Sequence, residues 1–297
     1  MSPTFSYLLA APQLFWFWTA MVFALGLCIG SFLNVCVWRL PRDESLVSPS
    51  SHCPSCGRGI RWHENIPVLS WLCLRARCAG CGCRISPIYP AVELLTAILF
   101  VWIWWRIAQR CEPVELFLPR CVMVAVLIAT VFIDAKHFII PDELTYGGMV
   151  AGLVFAAIFP AAVWGVDGQG VAVHGMAVVK AFAGLVFGGG MMAVAAVAGR
   201  LIFKQEALGW GDVKLMAAIG SCLGSAACLF TVFVGSLVGS IAGLGLIAVG
   251  RGRLKTAIPF GPYLAVGGCV WMLYGPEIVD AYFRWSRLFF KNILGVG

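Results

Sequence analysis

The sequence predicts an all-α polytopic membrane bundle of about eight spans that carries one small cysteine-rich loop. Three observations predict it. Of 297 residues, 61% are apolar and 12% charged, whereas a soluble domain averages ~45–50% and ~25%. The apolar residues arrive in runs of roughly 17–24, the length that crosses ~30 Å of hydrocarbon. Six of the thirteen cysteines crowd into residues 53–83, a stretch with few core formers. The apolar excess needs lipid to face, which argues against a soluble core of this size.

In chain order the spans are expected at Phe15–Trp38, Ala91–Ile107, Val114–Ile133, Leu144–Trp164, Ala181–Gly199, Val213–Gly224, Ala226–Val249 and Pro259–Tyr274. The division between the sixth and seventh rests on length. As one helix, 213–249 would run about 55 Å, nearly twice the hydrocarbon thickness. The Gly and Ser cluster at Ser221–Ser225 marks the break. Glycines four apart, Gly184 with Gly188 and Gly235 with Gly239 and Gly243, are expected to let helix backbones approach closely in lipid. Gly188–Gly190 is not a nucleotide loop, because no strand precedes it. The chain therefore divides into a first span (1–38), a loop (39–90) and a membrane core (91–297).

Charge sets the expected orientation. No Lys or Arg precedes Arg39, so the first run lacks the basic flank of a cleaved signal peptide and reads as a retained span that starts outside. The loops 39–90, 134–143, 200–212 and 250–258 then face the cytoplasm. With Lys214 they carry 14 of the 21 Lys and Arg, as the positive-inside rule expects. Arg106, Arg110 and Arg120 run against it. Most of the net charge of +7 lies in these loops, and no stripe suited to nucleic acid is present.

Loop 39–90 contains Cys53-Pro-Ser-Cys56 and Cys78-Ala-Gly-Cys81. Two such pairs about twenty residues apart have the spacing of a tetrahedral four-thiolate zinc site, with Cys53, Cys56, Cys78 and Cys81 as ligands. Gly57, Gly80 and Gly82 permit the knuckle turns. Cys73 and Cys83 are spare thiols, Cys83 an alternative to Cys81. Disulfides are the rival reading, but cytoplasmic thiols stay reduced. Four thiolates leave no open position for water, so the expected role is structural. Cys28, Cys36, Cys222, Cys228 and Cys269 lie in apolar runs as small hydrophobes; Cys111 and Cys121 are free-thiol candidates near the outer boundary.

Two carboxylates stand at the membrane edge. Asp134 ends the third span in Phe132-Ile133-Asp134-Ala135-Lys136, and Asp212 opens the sixth in Gly209-Trp210-Gly211-Asp212-Val213-Lys214. Carboxylates at such depth are costly enough that function is the default reading. Both fall on the cytoplasmic side, so they can meet. Two carboxylates sharing one proton supply the base and the acid that water-driven peptide hydrolysis needs. Gly209 and Gly211 would let backbone or substrate approach Asp212 closely. The bland alternative is helix capping, for which Asp212 and Asp142 are well placed and Asp134 is not.

In order along the chain, six segments resemble the prepilin peptidases, the bifunctional leader peptidases and N-methyltransferases of type IV pilus and type II secretion systems. They are Gly30-Ser31-Phe32-Leu33-Asn34-Val35 with Arg39-Leu40-Pro41, the paired CxxC loop, Tyr89-Pro90-Ala91-Val92-Glu93, Ile133-Asp134 through Ile139-Ile140-Pro141-Asp142, Gly209-Trp210-Gly211-Asp212 with Lys214, and Pro259-Phe260-Gly261-Pro262-Tyr263. The resemblance implies that Asp134 and Asp212 are the catalytic pair, supported by Asp142, Gly209, Gly211 and Lys214. It implies a bacterial inner-membrane enzyme that cuts a basic leader from prepilins or pseudopilins, commonly between Gly and Phe. It further implies methylation of the new N-terminus from S-adenosylmethionine, for which no soluble methyltransferase motif is visible. Glu64, Asn65, Pro67 and Glu93 also match family positions. One departure is Arg75-Ala76-Arg77, where family members often carry Gly before the basic residue. Rival classes are a proton- or cation-coupled transporter, whose carboxylates would sit near mid-bilayer, and another intramembrane aspartyl protease, which would lack the cysteine loop.

Overall fold

In the computed structural model, which describes residues 12–166, 168, 170–204, 208–249 and 258–294, the chain is helical wherever the sequence is apolar. The principal helices are α1 (Pro12–Arg39), α2 (Leu69–Cys73), α3 (Ile88–Arg110), α4 (Phe117–His137), α5 (Asp142–Ile158), α6 (Pro160–Trp164), α7 (Val171–Phe203), α8 (Trp210–Ala248) and α9 (Gly261–Leu294). Among the described residues strand pairing is confined to two isolated bridges, His52 with Gly59 and Arg77 with Arg84. Chemistry at the ends explains several boundaries. α4 stops at Phe138, whose φ of 56° leaves the helical region, and Pro141 then precedes α5. α6 opens on Pro160, at the first position where a missing N–H costs nothing.

Among the described residues, five helical segments are long and apolar enough to cross a membrane: Gln13–Arg42, Ile88–Arg110, Val114–His137, Val171–Ile202 and Trp210–Ala248. That is fewer than the eight spans expected, and the difference lies in three places. The fourth expected span is the 17-residue α5. The eighth is the start of α9, whose later turns carry charged residues. The sixth and seventh fall together in α8, interrupted at Gly224 by φ 84° and ψ 177°.

The chain doubles back at that glycine. Twelve residues of unbroken helix would hold Met216 and Cys228 about 18 Å apart, yet the Cys228 thiol lies 3.8 Å from the Met216 carbonyl oxygen. α8 is thus two antiparallel arms, with the break inside Ser221–Ser225 as expected.

Glycine governs how the arms pack. A methyl group at Gly184 would fall 2.2 Å from the Gly220 carbonyl oxygen, and one at Gly188 2.4 Å from that of Met216. α7 therefore lies on α8 backbone to backbone, close enough for dispersion contact along the whole seam. Gly235, Gly239 and Gly243 similarly receive Leu264, Tyr263 and Ile258 beside the start of α9. The central core holds Phe100, Ile103, Leu127, Leu215, Ile219 and Leu264, all fully buried. Large apolar side chains such as Trp16, Val194, Leu201 and Phe233 stay exposed, as lipid-facing residues do.

The arginines that run against the charge rule are paired. Arg106 and Arg110 of α3 both bond Glu277 of α9, and each also donates to the Leu273 carbonyl. Glu112 takes Arg110 and Arg120. This clamp ties α3 to α9 at the end of the bundle opposite Asp134. The loop 250–258 lies outside the described residues except for Ile258.

Candidate active site and cysteine cluster

Three helix ends converge around the aspartates. Asp134 lies in the last turn of α4 and is 5% exposed; Asp212 lies in the first turn of α8 and is 8% exposed. The first residue of α9 completes the group, because the Gly261 N–H donates to Asp134 Oδ2 at 2.9 Å. Helix N-termini present unpaired N–H groups and a positive end of the dipole, so α8 and α9 both suit a carboxylate. Ile140 packs against both Gly211, next to Asp212, and Gly261, the partner of Asp134, so the two carboxyls border one pocket. The sequence reading missed the Gly261 donor, although Pro259 and Pro262 around it already signalled a helix start.

The enclosure is small. A methyl group at Gly261 would sit 2.7 Å from Asp134 Oδ2 and 3.2 Å from Ile140 Cδ1; one at Gly211 would sit 2.9 Å from Ile140 Cβ. Gly209 borders Asp212, its added methyl 3.5 Å from Oδ2. Close approach at 211 and 261 is what the absent side chains allow.

Neither Asp142 nor Asp212 holds the N-cap position that the capping alternative gives them, since the cap positions are Pro141 and Gly209; Asp212, three residues in, instead reaches back to the Gly209 N–H. The Asp142 carboxylate is taken by Lys214, whose Nζ donates to Oδ1 at 2.6 Å and Oδ2 at 2.8 Å. Lys214 also lies 5.2 Å over the Tyr146 ring. This pair links α5 to α8 beside the aspartates.

The cysteine loop folds as two matching knuckles. The Cys53 N–H donates to the Arg58 carbonyl and Gly57 N–H to that of Cys53; Cys78 N–H donates to the Cys83 carbonyl and Gly82 N–H to that of Cys78. Gly57 and Gly82 share a φ of 70°, a conformation glycine adopts without strain. The sulfurs of Cys53, Cys78, Cys81 and Cys83 all lie within 4.8 Å of one another. Cys56 is not among those four, so Cys83 stands beside three of the four expected ligands. Cys73 lies apart, exposed at the end of α2.

The geometry fits a zinc ion. Zn–S bonds of ~2.3 Å in a tetrahedron put sulfurs ~3.8 Å apart, and Cys53 lies 3.9 Å from Cys81 and 3.6 Å from Cys83. The N–H groups of Cys56 and Ser55 bring the Cys53 thiol down to about 6, favouring the thiolate a metal takes.

Beside the cluster, Arg61 N–H and the Arg58 guanidinium hold Glu64 below the usual carboxylate range. Ala76, the departure noted above, has a φ of 57°, where glycine is favoured.

The comparisons with known proteins fit this arrangement. Residues 24–107 match the Bacterial Peptidase A24 N-terminal domain, and residues 121–244 match the Type IV leader peptidase family. Over 291 residues the chain is 37% identical to a prepilin leader peptidase/N-methyltransferase of Aeromonas hydrophila, covering 90% of this chain and 94% of that one. The chain belongs to the type IV leader peptidase family. A relative of the same description from Myxococcus xanthus is 43% identical over 236 residues, covering 79% of this chain and 65% of that protein. One from Pseudomonas aeruginosa is 32% identical over 313 residues, covering 96% and 99%. No solved structure matches. Within the family frame, one matched segment contains the cysteine knuckles and the other both aspartates.

Proposed function

We propose that the chain is an aspartic endopeptidase that removes the basic leader of type IV prepilins and pseudopilins and N-methylates the exposed N-terminus. The observation that carries the peptidase half is the pair of buried aspartates, set at one end of the bundle on converging helix ends around Ile140 and the Gly261 amide. Asp134 Oδ2 accepts the Gly261 N–H, a bond that strengthens when the carboxyl is ionised, and Asp134 is accordingly assigned as the carboxylate that takes a proton from the attacking water. Asp212 holds the shared proton and gives it to the leaving amine. Asp142 and Lys214 position the two helices, while Gly209 and Gly211 leave room for an extended substrate backbone.

The topology of this reading has eight passes, the two arms of α8 counting separately. Its basic loops and both aspartates face the cytoplasm of a bacterial inner membrane. Charge bias supports the orientation, and the relatives' descriptions support the substrate. A transporter would place coupling carboxylates near mid-span, whereas these sit in terminal turns.

Two groups are implied besides lipid and substrate. Zinc fits the clustered thiols, Cys53, Cys78 and Cys81 with Cys83 or Cys56, and would staple the loop. S-adenosylmethionine supplies an electrophilic methyl group to the amine.

Substitution tests the pair. Asp134→Asn and Asp212→Asn should each lower prepilin cleavage at least ~10³-fold at unchanged protein level, because removing either member of an acid–base pair removes a ~10²–10⁴-fold contribution. Near-normal cleavage by either variant would sink the shared-proton mechanism.

A further inference from the structure

A cavity of about 560 Å³ lies between the cysteine knuckles, the last turns of α1 and the first turns of α3. Its volume is that of a small-molecule site, where a drug-sized ligand is largely enclosed. None of Asp134, Asp142, Asp212, Lys214 or Gly261 lines it, so it belongs to a different chemistry from peptide cleavage.

The wall combines aromatic side chains with charges of both signs, Arg39, Arg58 and Arg84 against Glu44, Glu64 and Glu93. Trp71 and Tyr89 line the cavity; Trp71 is held by its indole N–H, which donates to the Ile85 carbonyl at 3.3 Å. Glu64 and Arg84 add charges of both signs toward the knuckles. Toward the bundle the cavity meets Asn34 and Glu93, each more than nine-tenths buried. Asn34 Nδ2 donates to the Tyr89 carbonyl at 3.0 Å, and Glu93 Oε2 accepts the Val68 N–H at 2.7 Å. Val68 has a φ of 61°, a conformation that a β-branched residue enters only under constraint. The fold thus holds a strained backbone to aim one N–H at this carboxylate.

We propose that this cavity binds the adenosyl sulfonium methyl donor and that Glu93 holds the acceptor amine at its inner end. The inference rests on the methyltransferase half of the function proposed above and gives it a site. Aromatic faces and carboxylates are what an adenine ring and a sulfonium cation recognise. The new N-terminus of a cleaved substrate is an ammonium ion near neutral pH, and it must lose a proton before its nitrogen can act. Glu93 takes that proton; the nitrogen lone pair then forms the N–C bond as the donor's S–C bond breaks, its electron pair staying on sulfur.

Position favours hand-over between the sites. Trp38 lines the cavity, and Lys136, two residues beyond Asp134, lies 5.8 Å over its ring. A released N-terminus therefore leaves one site beside the other.

The test uses the full chain purified in detergent. Tritiated S-adenosylmethionine is crosslinked by ultraviolet light, with S-adenosylhomocysteine as competitor, and the labelled peptides are mapped. Label within residues 51–93 that the competitor removes is the expected result; label confined to other segments would overturn the proposal. Trp71→Ala should weaken S-adenosylhomocysteine binding at least tenfold by calorimetry with cleavage within threefold of wild type, and unchanged binding would count against the site. Glu93→Gln should bind S-adenosylhomocysteine and cleave within threefold of wild type while N-methylation falls at least 100-fold. Undiminished methylation would remove Glu93 from the role. If the wild type methylates but is labelled elsewhere, the siting alone is wrong. If it cleaves but neither methylates nor binds, the methyltransferase reading falls with it.

Discussion

Replacing Gly261 by Ala puts one methyl group against the oxygen that anchors Asp134. The added carbon would lie 2.7 Å from Oδ2 and 3.2 Å from Ile140 Cδ1, well inside the usual contact distance, so carboxylate and helix end must separate. Separation stretches the 2.9 Å bond from the Gly261 N–H. Hydrogen bonds to charged groups contribute about 1.5–3 kcal/mol, and each ~1.4 kcal/mol is tenfold in rate. Cleavage should therefore fall roughly 10–150-fold in kcat/KM, measured with purified enzyme and a synthetic prepilin in detergent. Methylation of an already cleaved substrate should stay within threefold, because Gly261 does not line the second cavity. Gly239→Ala is the control: its methyl group also meets a tight contact, 3.1 Å from Tyr263 Cδ2, but no carboxylate. Cleavage by Gly261→Ala within threefold of wild type, with Asp134 essential, would refute the idea that this amide aims the aspartate.

Asp142→Asn removes the partner of Lys214 at a half-exposed position (54% side-chain exposure); such pairs contribute less than about 1 kcal/mol, so the melting temperature should barely move while kcat/KM for cleavage falls about tenfold through looser helix positioning. Cys53→Ser or Cys78→Ser should lower bound zinc to below about 0.2 per chain by elemental analysis and impair methylation more than cleavage, equal loss of both indicating global unfolding. Comparing Cys56→Ser with Cys83→Ser then identifies the fourth thiol, the 3.6 Å approach of Cys83 to Cys53 favouring Cys83. Ala76→Gly should stabilise the loop: relief of the left-handed conformation is worth about 1–2 kcal/mol against about 0.4–1 kcal/mol of added unfolded-state entropy, a net gain centred on about 0.8 kcal/mol and at most about 1.6 kcal/mol, visible as a higher melting temperature of the zinc-bound protein.

Much of this was legible because membrane burial writes long, nearly uniform signals. Helices α1, α3 and α4 follow directly from their apolar runs, and the reversal at Gly224 follows from a length limit combined with a Gly–Ser cluster. The glycine seams were legible for the same reason, since only a missing side chain permits the 2.2 Å approach of Gly184 to Gly220. Asp134 and Asp212 stood out because charges are scarce in such surroundings. What stayed hidden was carried by the main chain or by chain-distant partners. The Gly261 amide has no side-chain signature, and the bond from Val68 to Glu93 depends on a backbone twist no residue preference announces. Capping was expected of Asp142 from its place before a helix; Lys214, seventy-two residues on, took both its oxygens. Arg106 and Arg110 looked like exceptions to a charge rule, and only Glu277 across the bundle explains them. The choice among clustered thiols likewise turns on sulfur positions that spacing does not encode.

The arginine clamp has a mechanical consequence for the far side of the molecule. Glu277 sits sixteen residues after Gly261 on the same helix, about 24 Å along its axis. Gripping α9 at Glu277 and at the Leu273 carbonyl fixes both its height and its rotation about its own long axis. A slip of one residue would turn the helix by about 100° and swing the leading amide away from Asp134. Two guanidinium groups remote from the aspartates thus act as the stop that holds the register of the helix, gripping it on both sides of Pro276, at Leu273 and Glu277.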